Sequence, residues 1–381
     1  MERARIGLKE LQAIDGERGV VTVARIRESS QVLADAVTDF AFGDIFSRAE
    51  LGRLPRGLAT VAVLGAMGGA EPQLRIHAEA ALNVGAEPEE LVALAEHIAV
   101  YAGFPRALNL LRVVRETLEE LGLPLPPQGR RLRLGDHETL VTDTGGDLPP
   151  LILLHALGLD RRMWRDVIPL LASRYRVIAY DLRGHGHAAG APAVQGMAHF
   201  ASDLADLMQA LKLPQAAICG LSLGGVIAQH FTLDYPEKVA SLGLVATTAW
   251  AQPAFEARAA SAEADGMAAQ IVPTLTRWFQ PASLAVDGWA VRYARDRVVR
   301  NFVADWVASW RAMAGIGHES RLGEIAVPVR LVAGALDPST PPELMQRLAD
   351  LIPGATLSVI EGASHMVSLE QPRALAAALP G

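Results

Sequence analysis

Ser222 sits in Gly220-Leu221-Ser222-Leu223-Gly224, a G-x-S-x-G pattern. A serine hydroxyl in this setting is a candidate nucleophile for acyl transfer. The residues before it, Ala216 to Cys219, read as a short buried strand, and Gly225 to Phe231 read as a helix. Strand, tight turn and helix together make a nucleophile elbow. The turn strains the backbone of the nucleophile and leaves no room for side chains at 220 and 224. It also places Ser222 at a helix N-terminus, where N–H groups favour a developing negative charge. A bare G-x-S-x-G also fits an ordinary strand-to-helix turn, so the partners decide.

A serine nucleophile needs a base, an acid to orient that base, and donors for an oxyanion. After the elbow, Asp337 follows a strand read at Val327–Val332, and His365 follows one read at Thr356–Ile360. The order Ser, Asp, His at successive strand ends matches a triad: His365 takes the Ser222 proton, and Asp337 holds its tautomer. The expected oxyanion donors are the Leu223 N–H and an N–H of His155-Ala156-Leu157-Gly158, from Ala156 or Leu157, with Leu157 preferred. His155 reads as a brace for that loop. Cys219 lies inside a strand and reads as a small core residue.

Composition narrows the classes. Net charge is −7, which gives no electrostatic case for nucleic acid or an anionic membrane. The single cysteine excludes an intrachain disulfide and a cysteine metal site. No apolar run reaches the roughly 18 residues of a membrane span, and Met1–Arg5 leads into charged sequence, so a cytoplasmic protein is expected. The site as read calls for no metal and no cofactor.

Two patterns of elements must position these residues. From about residue 7 to 122 the chain reads as helical, with helices at about Leu58–Met67, Pro72–Val84, from Glu89 to a stop at Gly103 and Pro105, and at Arg106–Leu121. Short Gly- and Pro-marked connections make this an antiparallel all-α helical bundle over residues 1–122. A proline-rich linker follows at 123–129. From 130 to 381, a hairpin at Arg131–Leu134 and Thr139–Asp143 precedes apolar strands at Leu151–His155, Arg174–Tyr180, Ala216–Gly220, Val239–Val245, Val327–Val332 and Thr356–Ile360. Helices between them imply a mostly parallel sheet. A helical excursion at about 251–322 would cap the carboxyl ends of the strands. It carries Trp278, Trp289, Trp306 and Trp310, which either line a pocket or pack as core.

Residues 130–379 resemble the α/β-hydrolase family and, within it, 3-oxoadipate enol-lactone hydrolases. The resemblance rests on Tyr180-Asp181-Leu182-Arg183-Gly184-His185-Gly186, Cys219 to Gly225, Arg277-Trp278-Phe279, Ala363-Ser364-His365 and Leu369-Glu370-Gln371-Pro372. It differs at His187, where a small residue is usual, and at His155-Ala156, where Asn-Ser is usual. The resemblance implies hydrolysis of a small anionic lactone, with Arg277 and Trp278 as substrate-binding residues. Arg277 would grip the carboxylate; otherwise it pairs with an acid of the cap.

Residues of about 40–120 resemble the carboxymuconolactone decarboxylase family. The matching pieces are Leu74-Arg75-Ile76-His77, Ala81 to Gly85, His97 to Pro105, Phe46-Ser47-Arg48 and Arg56. The related peroxidase branch carries Cys-x-x-Cys where this chain has Ala70 and Gln73, which excludes thiol redox chemistry. The resemblance implies His77 as general acid, with His97 the next candidate for that role, Arg56 on a carboxylate, and assembly into a homo-oligomer. Family members commonly carry Glu one turn before the His97 position; here it is Ala93. Two readings stay open: a bifunctional enzyme joining consecutive steps of protocatechuate breakdown, or another esterase or lactonase carried on a catalytically silent oligomerisation module.

Overall fold

A computed structural model of the chain describes residues 2–123, 125–126 and 129–379. It divides into two compact units, Met1–Pro126 and Pro127–Gly381. The linker read at 123–129 includes Pro124, Pro127 and Gln128, which lie outside the described residues.

The first unit is helical throughout. Its main helices are α1 (Glu2–Ser29), α2 (Arg53–Met67), α3 (Glu71–Asn83), α4 (Pro88–Ala102) and α5 (Phe104–Glu120). Helix α1 begins earlier than its weak apolar pattern suggests and breaks at Gly16, whose φ is 63°. A π-helical segment, Ala36–Phe46, packs on α1 through Leu11, Ile14 and Phe42. A second core joins α2 to α5 through Val61, Leu74, Leu91, Ile98 and Leu110. Pro105 does not end α4. It lies in the first turn of α5, where its missing N–H is tolerated, and Gly103 at φ 84° makes the break.

The second unit is built on one eight-stranded sheet of order β1-β2-β4-β3-β5-β6-β7-β8. The strands are β1 (Arg130–Leu134), β2 (His137–Asp143), β3 (Pro150–Leu154), β4 (Arg176–Tyr180), β5 (Ala216–Leu221), β6 (Val239–Val245), β7 (Val329–Gly334) and β8 (Thr356–Ile360). Strands β1 and β2 pair antiparallel, and β2 pairs antiparallel with β4. The pairs from β4 to β8 are parallel. All six residues of β5 are buried, which explains its unbroken apolar run. Two strands start later than their hydropathy indicates. Arg174 and Tyr175 donate back to Leu171 in a turn before β4, and Pro328, which has no N–H to give the ladder, precedes β7.

Helix α6 (Leu223–Asp234) follows β5. The excursion after β6 contains five helices: α7 (Pro253–Ala269), α8 (Ile271–Trp278), α9 (Pro281–Val286), α10 (Trp289–Arg300) and α11 (Val303–Ala314). An isolated antiparallel bridge between Trp250 and Gly317 closes its base. Among the described residues, no helix is long and apolar enough to cross a membrane.

Candidate active site

Strand β5 ends at Leu221, and Ser222 takes φ 56°, a left-handed backbone that a non-glycine residue rarely adopts. The elbow is tied down on both sides. The Ser222 N–H donates to the Val245 carbonyl at 2.9 Å, and the Thr247 hydroxyl donates to the Ser222 carbonyl at 2.7 Å. A Cβ at Gly220 would overlap the Gly224 carbonyl, and one at Gly224 would overlap the Leu154 carbonyl. Only glycine fits at either position.

The ends of β7 and β8 bring two more groups to the elbow. His365 Nδ1 lies 2.7 Å from Asp337 Oδ2, and its Nε2 lies 3.1 Å from Ser222 Oγ. A carboxylate beside Nδ1 fixes the proton there, so Nε2 is free to accept from the Ser222 hydroxyl. Asp337 also accepts from the N–H groups of Ser339 and Thr340 and from the Thr340 hydroxyl, the last at 2.6 Å. Burial alone would raise the Asp337 carboxyl. His365 and these donors outweigh it and hold the carboxyl below its ordinary value.

The loop after β3 supplies the oxyanion candidates. The Ala156 N–H is engaged with Met163 Sδ at 3.2 Å, which leaves Leu157 as the available donor on this loop. Leu223 is the first residue of α6, so its N–H has no intrahelical acceptor. His155 is fully buried, and its Nε2 accepts from the Leu182 N–H at 2.8 Å. Its Nδ1 therefore carries the proton and donates to the Ala156 carbonyl. Both nitrogens are committed, so His155 braces the loop and has no proton to exchange. Two cap residues hold the same loop: Asn301 donates to the Gly158 carbonyl at 2.9 Å, and the Tyr293 hydroxyl meets Asp160 at 2.9 Å.

Ser222, His365 and Leu157 line a cavity of about 490 Å³, solvent space at its mouth included. Arg277 and Trp278 line it as well. Arg277 pairs with no acid of the cap among the described residues. Its guanidinium donates to the Pro273 carbonyl and the Thr274 hydroxyl of its own helix. Burial and the nearby positive charge of Arg258 push it down to about 10. The four cap tryptophans split between the two expected roles. Trp278 and Trp310 line the cavity, Trp306 is buried against Gly158, and Trp289 stacks on Tyr293. Arg258, Phe255, Thr340 and Asn301 belong to this region without any mark in the sequence. Arg258, Phe255 and Asn301 come from cap helices and loops with no motif, and Thr340 from the loop after β7. Cys219 is buried in β5, and burial pushes its thiol up to about 12.

The helical unit gathers its candidates less closely. His77 is half-buried on α3, and burial lowers its imidazole. His97 is exposed on α4, in ring contact with Tyr101 at 5.2 Å. Arg56 donates to the carbonyls of Leu51 and Arg48. Among the described residues no hydrogen bond or ring contact joins these three side chains, and Ala93 is exposed. No cluster of three or more His, Cys, Asp or Glu among the described residues is placed to hold a metal ion.

Residues 149–372 match the family model described as alpha/beta hydrolase fold. The chain belongs to that family. Residues 31–116 of the same chain match the carboxymuconolactone decarboxylase family. The hydrolase portion is 32% identical over 231 residues to 3-oxoadipate enol-lactonase 2 of Acinetobacter baylyi, covering 60% of this chain and 86% of that one. It is also 30% identical to a pimeloyl-[acyl-carrier protein] methyl ester esterase of Aeromonas hydrophila, over 60% and 92% of the two chains. Among solved structures, the enol-lactonase of Burkholderia xenovorans LB400 superposes with a TM-score of 0.63 at 26% identity, covering 65% of this chain and 97% of that one.

Proposed function

We propose that this alpha/beta hydrolase opens 3-oxoadipate enol-lactone to 3-oxoadipate, with Ser222 as nucleophile, His365 as general base and Asp337 as its orienting acid. The observation that carries the reading is the hydrogen-bonded line Asp337–His365–Ser222 opening onto a cavity that also holds Arg277, a cation without an acidic partner. Similarity to two enol-lactonases supports the same substrate. In the first half-reaction Ser222 Oγ attacks the lactone carbonyl and its proton passes to His365 Nε2. The oxyanion is held by the Leu157 and Leu223 N–H groups. The ring C–O bond then breaks, and the leaving enol oxygen takes the His365 proton and tautomerises to the ketone. Water next attacks the acyl-enzyme, giving its proton to His365, which returns it to Ser222 as the carboxylate leaves. Arg277 binds the carboxylate side chain and Trp278 packs on the ring. The test is kcat/KM on the enol-lactone against neutral esters of similar size. The proposal expects clear preference for the anionic lactone, and preference for neutral esters would contradict it.

For the helical domain, we infer an assembly module carrying a decarboxylase-like site of His77, His97 and Arg56. The favouring observation is an apolar stripe on the end of α4 and the start of α5. Val100 is 76% exposed, Tyr101 80%, Phe104 73% and Leu108 62%, large apolar side chains that a partner surface would cover. A second copy of the chain is the occupant proposed. Carbon dioxide release from 4-carboxymuconolactone would instead make the enzyme bifunctional in the β-ketoadipate route.

A further inference from the structure

The cavity around Ser222 holds a second cation. Arg258 projects from α7, with its guanidinium 4.7 Å from the Trp310 ring centre and 5.7 Å from that of Phe255. No hydrogen bond or ion pair to a described residue engages it. Arg277 comes from α8 and bonds only to neutral oxygens. The residues lining the cavity include no Asp or Glu, and Asp337 behind His365 is already saturated with donors. Half-buried guanidiniums ordinarily have carboxylate partners, and this pair has none. Stacking on Trp310 occupies the face of Arg258 and leaves its N–H edge for a planar acceptor.

We propose that Arg258 and Arg277 form a two-cation subsite for dicarboxylates, so that the site holds a dicarboxylate more tightly than a monoanion of the same length. This rests on the hydrolase reading of Ser222. Ester cleavage adds one negative charge: a lactone with one carboxylate becomes an acid with two. Two guanidiniums without internal counter-charge match the product better than the substrate, so the product competes with its own precursor. Burial first, and then the charge of Arg258, lower Arg277; a dianion between the two guanidiniums would offset that repulsion.

The test uses the full-length protein and calorimetric binding of adipate, its monoamide adipamic acid, and the neutral diamide adipamide, which share one chain length and resist hydrolysis. The expected affinities fall by about tenfold for each carboxylate replaced, the scale of a charge-assisted hydrogen bond. Arg258→Met should bring adipate to within about twofold of adipamic acid. Arg258→Lys, which keeps the charge but not the planar stacking, should retain most of the difference. Equal binding of adipate and adipamic acid by the wild-type protein would overturn the proposal. So would equal loss in the Met and Lys variants, which would make Arg258 a packing residue of Trp310. Should Arg258→Met be insoluble, Arg258→Gln and the wild-type series decide. None of these readouts involves turnover. A protein that fails on the enol-lactone yet separates adipate from adipamic acid keeps the subsite and loses only the substrate.

Discussion

At the residue scale, the geometry makes unequal demands on Asp337 and Arg277. Asp337→Asn removes the negative charge that fixes the His365 tautomer, and hydrolysis should fall by about 10⁴-fold, measured as kcat on any accepted ester. Arg277→Met should weaken handling of the anionic lactone by about 1.5–3 kcal/mol in kcat/KM. The loss on a neutral ester should be smaller, and equal losses would show that Arg277 only supports the cap. The Ser222, Asp337 and His365 positions are legible in the sequence because each lies within a few residues of the end of a strand, and strand ends of a parallel sheet converge. The sequence leaves Ala156 and Leu157 as alternative oxyanion donors, and the Ala156 N–H engaged by Met163 Sδ favours Leu157. Arg258 was not legible. Its relation to Arg277 is set by how α7 and α8 pack over the sheet, and local sequence does not encode that.

At the element scale, the middle of α6 packs against a titratable weak point. His318 Nε2 meets Gln229 Oε1 at 3.0 Å, and the His318 ring lies 4.3 Å from that of His230. Burial, then repulsion from His230 and Arg321, lowers His318 from 6.5 to about 4. A histidine lowered in the folded state stays neutral there while the unfolded chain takes up a proton. Stability is therefore complete above pH 6.5 and is lost as pH falls toward 4, by up to about 3 kcal/mol at roughly 1.4 kcal/mol per unit. Buried His185 and His155 are lowered as well and add to the decline, so thermal unfolding across that range should show it and His318→Gln should make it shallower; a His318→Gln variant with the same slope would contradict the assignment. The cap offers a second expectation. Asn301→Ala frees the Gly158 carbonyl and loosens the loop that bears Leu157, so kcat should fall more than KM rises. Cap helices were readable as a break in strand alternation, whereas Asn301 and Tyr293 gave no local signal of reaching across to that loop.

At the scale of the whole molecule, two compact units with separate cores share one chain. Their change of pattern, from helical spacing to apolar strand runs, was legible in the sequence. The N-terminal helix was less so, because α1 is weakly amphipathic and broken at Gly16. A fragment of residues 125–381 should retain hydrolysis, and one of residues 1–122 should sediment as a helical oligomer; two unfolded fragments by circular dichroism would place the boundary elsewhere. The account rests on Ser222 carrying out lactone opening, and the direct measurement is the rate of 3-oxoadipate enol-lactone hydrolysis by wild-type protein and by folded Ser222→Ala. The predicted result is multiple turnovers by the wild type and a loss of about 10⁴-fold or more in the variant. Near wild-type hydrolysis by Ser222→Ala, or no enol-lactone turnover by a wild-type protein that cleaves other esters, would contradict it.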